Sequence, residues 1–191
     1  MSRSQRKLTT VLDQPQLPPY TEETTLLRDQ VVDHAAFEQL AVARGDLSET
    51  TADDLLFQQA HFKHVQFGQT HFSSAQLIDV RLEACDLAGA AWEKVHMQRV
   101  ELIGCRLVGA KLLDADLDNL LIKDNNADLA LFWSASCRTT RFERCSLREA
   151  SFENANLAGV VFRNCDLANV DLRGANLRGA DFRGSNLQGI Q

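Results

Sequence analysis

Residues 150–189 read ASFEN ANLAG VVFRN CDLAN VDLRG ANLRG ADFRG SNLQG when the chain is broken every five residues. Each group has Leu or Phe at its third position and a small residue at its first. Further out, all ten phenylalanines of the chain keep this phase, which runs without a break from Phe37 to Leu187. A repeat this regular decides the architecture of a chain before any other feature does.

The five-residue period excludes the ordinary regular structures. Five residues advance an α-helix by about 500°, which spreads the large residues around the helix instead of gathering them on one side. In a straight strand, an odd step puts successive members on opposite faces. The chain is therefore predicted to turn a corner every five residues and to wind into a coil. Eight of the ten glycines stand two positions after a large residue, where a tight corner with positive φ is expected.

The size of one turn is indicated by residues that recur at multiples of twenty. The predicted core ladder consists of Phe142, Phe162, Phe182, Cys85, Cys105, Cys145 and Cys165. Parallel coils stack like residues on like, so twenty residues per turn, as four sides of five, fits this ladder best. Asn125 occupies the missing rung of the cysteine series.

Stretches such as ANLAG (155–159), CDLAN (165–169) and ADFRG (180–184) resemble the pentapeptide-repeat family. The resemblance covers about residues 37–190 and implies an all-β fold, a right-handed quadrilateral β-helix of about eight coils spaced about 4.8 Å apart. It assigns residues 37–191 to one repeat domain. The family includes bacterial quinolone-resistance proteins that imitate a DNA duplex in shape and charge and bind type II topoisomerases.

The first 36 residues lie outside the period. All three prolines fall within residues 1–20, which we predict to be a flexible or extended tail. Residues 21–36 are predicted to form an N-terminal cap or an irregular first coil, since a repeat protein needs its open end covered. The N-terminal stretch lacks the apolar core of a signal peptide, and five inward-facing cysteines suit buried thiols. We therefore expect a cytoplasmic protein.

The composition offers no support for catalysis or for a cofactor. A lumen filled by Leu and Phe leaves no substrate cavity, and His61, His64 and His71 stand on positions that a twenty-residue coil keeps apart. We predict no catalytic residues, no metal and no cofactor. The basic residues lack interleaved surface aromatics, which disfavours direct nucleic-acid binding, and no apolar run reaches membrane length.

The segment Leu120–Cys137 is the least regular part of the repeat. Its inward positions hold Asn125 and Ala127, so a bulge or distorted corner is expected there. Nearby outward positions become apolar, and we take as candidate partner-binding residues Val108, Leu113, Leu129, Leu131 and Trp133. Scattered surface hydrophobics or local repacking would explain them as well. Clustered exposed apolar groups often mark interfaces.

These features predict a non-enzymatic protein-interaction scaffold with a protein partner. One version is a DNA-mimicking modulator of DNA gyrase or another topoisomerase, although residues 1–137 carry net charge −8 and residues 138–191 carry +2. The alternative is a structural or assembly module with an unrelated protein partner. The last coil is thinly covered near Leu187 and Ile190, which predicts end-to-end association into a homodimer.

Overall fold

The computed structural model describes residues 11–20 and 23–191, and the chain forms the predicted all-β quadrilateral β-helix. One short 3-10 helix, Arg28–Gln30, precedes the coils. The strands that follow are β1 Ala36–Glu38, β2 Ala41–Ala43, β3 Thr51–Asp53, β4 Leu56–Lys63, β5 His71–Ser73, β6 Gln76–Glu83, β7 Ala91–Glu93, β8 His96–Ile103, β9 Asp116–Lys123, β10 Ser136–Arg138, β11 Arg141–Glu143 and β12 Val161–Arg163. No helix in the described ranges is long and apolar enough to cross a membrane.

Every strand pair is parallel and joins residues twenty apart, which confirms the predicted turn. Leu56 pairs with Gln76, Gln76 with His96, and His96 with Asp116. Isolated bridges extend the same register beyond the last strand, as between Asn156 and Asn176 and between Asp166 and Asn186. Because an extended side is only five residues long, the pairing leaves four faces around a closed lumen.

We name the faces by the buried residues at their centres. Face A is centred on positions 37, 57 and every twentieth residue after them, face B on 42 and 62, face C on 47 and 67, and face D on 52 and 72. Each face includes the two residues on either side of its central residue. Faces A and B carry a nine-stranded sheet, and β3, β5 and β7 form a three-stranded sheet on face D.

The lumen is packed with the large residues of the repeat. Phe142 stacks on Phe162 with ring centroids 4.8 Å apart, and Phe162 stacks on Phe182 at 5.1 Å. On face D, Phe132 and Phe152 lie 4.7 Å apart and nearly parallel. These stacks confirm the phenylalanine ladder, and the small residues between them let the walls close to native density.

A residue with positive φ stands at every fifth position from His34 to Gly189. The eight glycines of the predicted corner class all belong to this series, with φ between 62° and 76°. Most corners, however, use residues other than glycine, chiefly Asn, Asp, Gln and Arg. Many corners of the coil therefore hold a non-glycine residue in the left-handed conformation, which is energetically unfavourable for L residues.

The corners between faces B and C explain the cysteine ladder. At the next corner, between faces C and D, the carbonyl of a large residue accepts a backbone N–H, as Phe67 does from Thr70 at 3.2 Å. At the B–C corners, the carbonyl of the large residue of face B instead accepts a hydrogen bond from a side chain in the following coil. The Ile122 carbonyl accepts from Cys145 Sγ at 3.2 Å, and the Phe162 carbonyl accepts from Ser185 Oγ at 3.1 Å. The thiols therefore cap backbone groups in addition to filling space.

Asn125 belongs to the same capping column, and the expected bulge around it is wrong. Its Nδ2 donates to the Leu102 carbonyl at 2.9 Å, and its Oδ1 accepts the backbone N–H of Cys105. β9 passes through the corner at Asn119 in full register and ends at Lys123, and Asn126 forms parallel bridges with Arg106 and Ser146. An amide with both donor and acceptor satisfied can replace a thiol without disturbing the coil.

Part of the N-terminal segment lies against the coil. Residues 1–10 and 21–22 lie outside the described residues. Residues 11–20, which we call the strap, run extended along the corner between faces A and B. Beyond the strap, Thr24 bridges to Val42, and the buried side chains of Leu26 and Val31 pack on the first coil.

Candidate functional site: an apolar corner on acidic faces

The five apolar residues singled out from the sequence lie on face D and around its corner with face C. We call this set, Val108, Leu113, Leu129, Leu131 and Trp133, the corner patch. It spans two adjacent coils. The Leu112 N–H donates to the Leu131 carbonyl at 2.7 Å, and the Asp114 N–H donates to the Trp133 carbonyl at 2.9 Å. Leu113 and Trp133 therefore occupy equivalent positions on neighbouring rungs of face D.

Two members of the corner patch are prominently exposed. Leu129 is 50% exposed and Trp133 is 44% exposed, whereas Val108, Leu113 and Leu131 are half-buried. The indole Nε1 of Trp133 donates to Ser151 Oγ at 2.7 Å, which fixes the ring against the next coil. The lumen beneath is closed, since Ala127 is fully buried. The patch thus lies over a packed core.

Leu129 stands at a corner and has φ of 61°. The other corner residues of the described chain are glycine, alanine, or side chains with a polar group. A leucine in left-handed backbone costs roughly 1–2 kcal/mol, and half of its apolar surface remains in water. Neither the period nor the core accounts for this residue, and strained exposed residues of this kind are candidates for function.

Faces C and D are also the acidic side of the coil. Within the described chain they carry twelve acidic residues, namely Asp46, Glu49, Asp53, Asp54, Asp86, Glu93, Asp114, Asp128, Glu149, Glu153, Asp166 and Asp171. Their basic residues are Lys94, Arg106, Lys111, Arg148 and Arg173. Face B has the opposite balance, with eight basic and five acidic residues. The overall charge of −6 therefore conceals a coil with one acidic and one basic side.

Several of these acids are held ionised by their neighbours. Hydrogen bonds from the Arg173 side chain and backbone N–H lower the pKa of Asp171. Hydrogen bonds from Ser48 lower the pKa of Asp46 in the same way. Asp114 and Glu149, beside the corner patch, form no ion pair within the described part of the chain. The patch is therefore bordered by negative charge that a partner can reach.

The C-terminal coil exposes the other residues named from the sequence. Leu187 is 46% exposed, and Leu177 on the same coil is 38% exposed. Ile190 and Phe182 remain partly buried against the core. These side chains form an apolar surface at this end of the coil.

The histidines stay apart, as the coil register requires. His61 pairs in the sheet with Arg81, and His71 pairs with Ala91. No group of three His, Cys, Asp or Glu residues among positions 11–20 and 23–191 could hold a metal ion. All five cysteines are free and buried.

A cavity of about 350 Å³ opens beside the strap and lies outside the lumen. Its lining includes Leu12, Glu101, Leu121, Arg141 and Glu143. Of the charged groups there, Arg141 lies 3.2 Å from Glu143, and Glu101 pairs with Arg81 at 2.7 Å. Sequence reasoning missed the strap and the polar corner it follows. The signal in the sequence was that Asp79 and Arg99, which carry opposite charges, are twenty residues apart and therefore stand at the same corner on adjacent coils.

Two family models match the chain. One described as pentapeptide repeats matches residues 54–89 and 150–189 with eight copies, and one described as a pentapeptide repeat region matches residues 75–152. A comparison with curated protein sequences finds no match.

Among solved structures, the chain is similar to a trypsin-treated variant of QnrB1, a plasmid-mediated fluoroquinolone resistance protein. The two are 20% identical with a TM-score of 0.40, over 84% of this chain and 87% of that one. HetL, a pentapeptide-repeat protein involved in heterocyst differentiation regulation in the cyanobacterium Nostoc sp. strain PCC 7120, is 20% identical with a TM-score of 0.34, over 83% and 87%. Rfr23 from the cyanobacterium Cyanothece 51142 is 21% identical with a TM-score of 0.23, over 53% and 60%.

Proposed function

This chain belongs to the pentapeptide-repeat family, and we propose that it is a non-enzymatic scaffold that binds a protein partner through the corner patch. The observation that carries the proposal is Leu129, an exposed leucine in left-handed backbone. Leu129 costs folding stability and buries little of its side chain in the free protein. Burial of that side chain by a partner would contribute binding free energy.

The surroundings of Leu129 suit a protein interface. Trp133 supplies a large, rigid aromatic anchor whose orientation Ser151 fixes, and tryptophan is among the residues that contribute most to binding energy. Acidic residues border this apolar centre, in the usual arrangement of a dry core inside a polar rim. The partner we propose has a basic surface with an apolar pocket. The free thiols fit a reducing compartment, and we place the interaction in the cytoplasm.

The sharper version is that the partner is DNA gyrase or another type II topoisomerase. The acidic residues of faces C and D are distributed along the coil, and those that share a column are at least two coils apart, as Asp46 and Asp86 are at about 9.6 Å. An enzyme that binds DNA carries basic surface that could meet this acidic side. The charge of faces C and D supports this version more strongly than the charge of the whole chain does, since face B is basic.

A supercoiling assay tests the topoisomerase version. Purified gyrase would be assayed with and without a quinolone as the protein is added. We expect inhibition or protection at micromolar protein, and loss of at least about tenfold in potency for Trp133→Ala. Leu187→Ala is the matched control, since it removes an apolar side chain of similar exposure outside the patch. No effect of the wild-type protein would reject the topoisomerase version.

The broader scaffold proposal is tested separately, by binding partners from cell extract to immobilised wild-type, Trp133→Ala and Leu187→Ala proteins. At least one partner should be lost with Trp133→Ala and retained with Leu187→Ala. If Trp133→Ala retains every partner of the wild type, the corner patch is not the binding site.

A second candidate function is self-association through the last coil, and the exposed apolar residues there favour it. Leu177 and Leu187 would be covered if two copies met end to end. Sedimentation should then show dimers at high concentration that Leu187→Lys abolishes, because a charge would have to be buried in the contact. Monomers of the wild type at every concentration would reject this candidate.

A further inference from the structure

The strap forms its hydrogen bonds with one line of residues on the coil, and its Tyr20 ring lies 6.3 Å from the ring of His61 on face B. The line consists of Gln59, Asp79, Arg99 and Asn119, which stand at the corners between faces A and B on successive coils, and we call it the corner column. All but Arg99 hydrogen-bond to the strap. The Asp13 N–H donates to Asn119 Oδ1 at 3.2 Å, and the Gln16 N–H donates to Asp79 Oδ1 at 2.9 Å. Gln59 Nε2 donates to the Gln16 carbonyl at 3.3 Å.

The spacing of these contacts matches two different periods. Asn119 and Asp79 are two coils apart, which is roughly 9.6 Å at about 4.8 Å per coil. Asp13 and Gln16 are three residues apart, which is roughly 9.3 Å in a polyproline II helix of about 3.1 Å per residue. One turn of polyproline II therefore spans two coils. Pro15, Pro18 and Pro19 favour that conformation for the strap and for the residues before them.

The corner column is also held by contacts within the coil, and the strap adds to the burial of its carboxylate. Arg99 binds Asp79 through two hydrogen bonds, of 2.6 and 2.7 Å, and the Asp79 side chain is 6% exposed. Burial alone would raise the pKa of Asp79, but the hydrogen bonds from Arg99 and from the Gln16 N–H lower it below its usual value. An ionised, fixed carboxylate therefore faces the peptide. Gln59, Arg99 and Asn119 have φ of 52–53°, so the left-handed corners help to orient this column.

Most of the strap's hydrogen bonds to the corner column are made by its backbone. Three of the four hydrogen bonds from the strap to the corner column involve the strap's own N–H or C=O groups, and the fourth runs from the Tyr20 hydroxyl to the Gln59 carbonyl at 2.6 Å. The strap joins no sheet, and Asp13, Gln14 and Gln16 are exposed. It contacts the coil as a bound peptide would.

We propose that the corner column is a docking groove for an extended, proline-containing segment of a partner protein, and that the strap occupies it in the free protein. A segment fits if it has free N–H groups three residues apart and prolines between them. The strap then acts as a competing ligand in cis, which lowers the apparent affinity for the partner by the fraction of open groove. The groove lies at the corner opposite to the corner patch, so both surfaces can be used at once.

A peptide-binding experiment on the full chain tests the groove. The probe is a fluorescent peptide with the sequence of residues 11–20, VLDQPQLPPY. The opened protein is Gln16→Pro/Tyr20→Phe, which removes the N–H that Asp79 accepts and the hydroxyl bound to Gln59. Both substitutions lie outside the coil, and circular dichroism checks that the coil is unchanged.

Fluorescence anisotropy should show the probe binding the opened protein at least about tenfold more tightly than the wild type. Two matched variants then identify the site. Adding Asn119→Gly to the opened protein keeps the left-handed corner but removes an acceptor, and should weaken binding about fivefold. A probe carrying Gln16→Pro should bind about fivefold more weakly as well. The proposal is overturned if the opened protein fails to bind the probe, or if neither variant changes the affinity.

Discussion

Replacing Asn125 by alanine should destabilise the coil strongly, although the sequence alone marks the position as poor core filling. The Asn125 side chain is buried and bridges two backbone groups of the preceding coil, the Cys105 N–H and the Leu102 carbonyl. Alanine makes neither bond. The site is closed on all sides by the walls of the lumen, so both backbone groups would lose their partner without gaining water.

The size of the effect follows from these two bonds. Each buried backbone group left without a hydrogen bond lowers the free energy of unfolding by about 1–3 kcal/mol. Part of this loss is recovered because alanine no longer buries a polar amide. We expect Asn125→Ala to lower the free energy of unfolding by about 3 kcal/mol. Asn125→Cys should cost only about 1 kcal/mol, because a thiol in this column can reach the same carbonyl, as Cys145 does for Ile122 at 3.2 Å.

Urea unfolding followed by tryptophan fluorescence measures these differences, since the only two tryptophans are Trp92 and Trp133. Trp133 lies in the same coil as Asn125, and Trp92 lies two coils before it. Hydrogen exchange gives a local readout, because the Cys105 amide should exchange faster in Asn125→Ala and nearly normally in Asn125→Cys. The capping argument is refuted if Asn125→Ala costs less than about 1 kcal/mol, or if cysteine and alanine destabilise equally.

Three further predictions test other parts of the fold. Phe152→Ala should cost about 3–5 kcal/mol in urea unfolding, because the ring is fully buried and stacked on Phe132; a cost below about 1 kcal/mol would place Phe152 outside the core. Burial lowers the pKa of His61, so the unfolded chain binds more protons and the wild type should lose stability as pH falls below about 6.5. His61→Gln should remove that slope, and equal pH profiles would contradict the assignment. Leu129→Gly should raise the free energy of unfolding by about 0.5 kcal/mol through relief of left-handed strain; a clear loss of stability would show that Leu129 supports the fold.

The coil itself was predictable because its period is a geometric constraint. Residues that recur every five positions cannot share a face of a helix or strand, and the twenty-residue ladder of Phe142, Phe162 and Phe182 favours four sides per turn over other multiples of five. The glycine corners followed from the same phase. The non-glycine corners did not, because the chain enforces left-handed backbone by stacking each corner between two others, which a local propensity cannot reveal.

The strap was not predictable in the same way. It lies outside the period, and its hydrogen bonds join residues as far apart as Asp13 and Asn119. Nothing in residues 11–20 alone identifies which of four corners they follow. The coincidence of one polyproline II turn with two coils becomes visible only when both geometries are known. The corner patch could be named from the sequence because its residues break a pattern at known positions.

Asn125 and Leu129 both depart from the repeat, four residues apart, and the structure separates them. Asn125 has its donor and acceptor bound inside the coil, so the fold alone explains why an amide stands there. Leu129 is exposed and strained, so the fold gives no reason for a leucine. A residue kept for stability and a residue kept for binding should respond oppositely to substitution. Asn125→Ala should therefore weaken folding and leave the corner patch chemically intact, while Leu129→Gly should preserve folding and weaken partner binding. If both substitutions weaken binding only in proportion to the loss of folded protein, Leu129 has no role in recognition and the corner patch is ordinary surface.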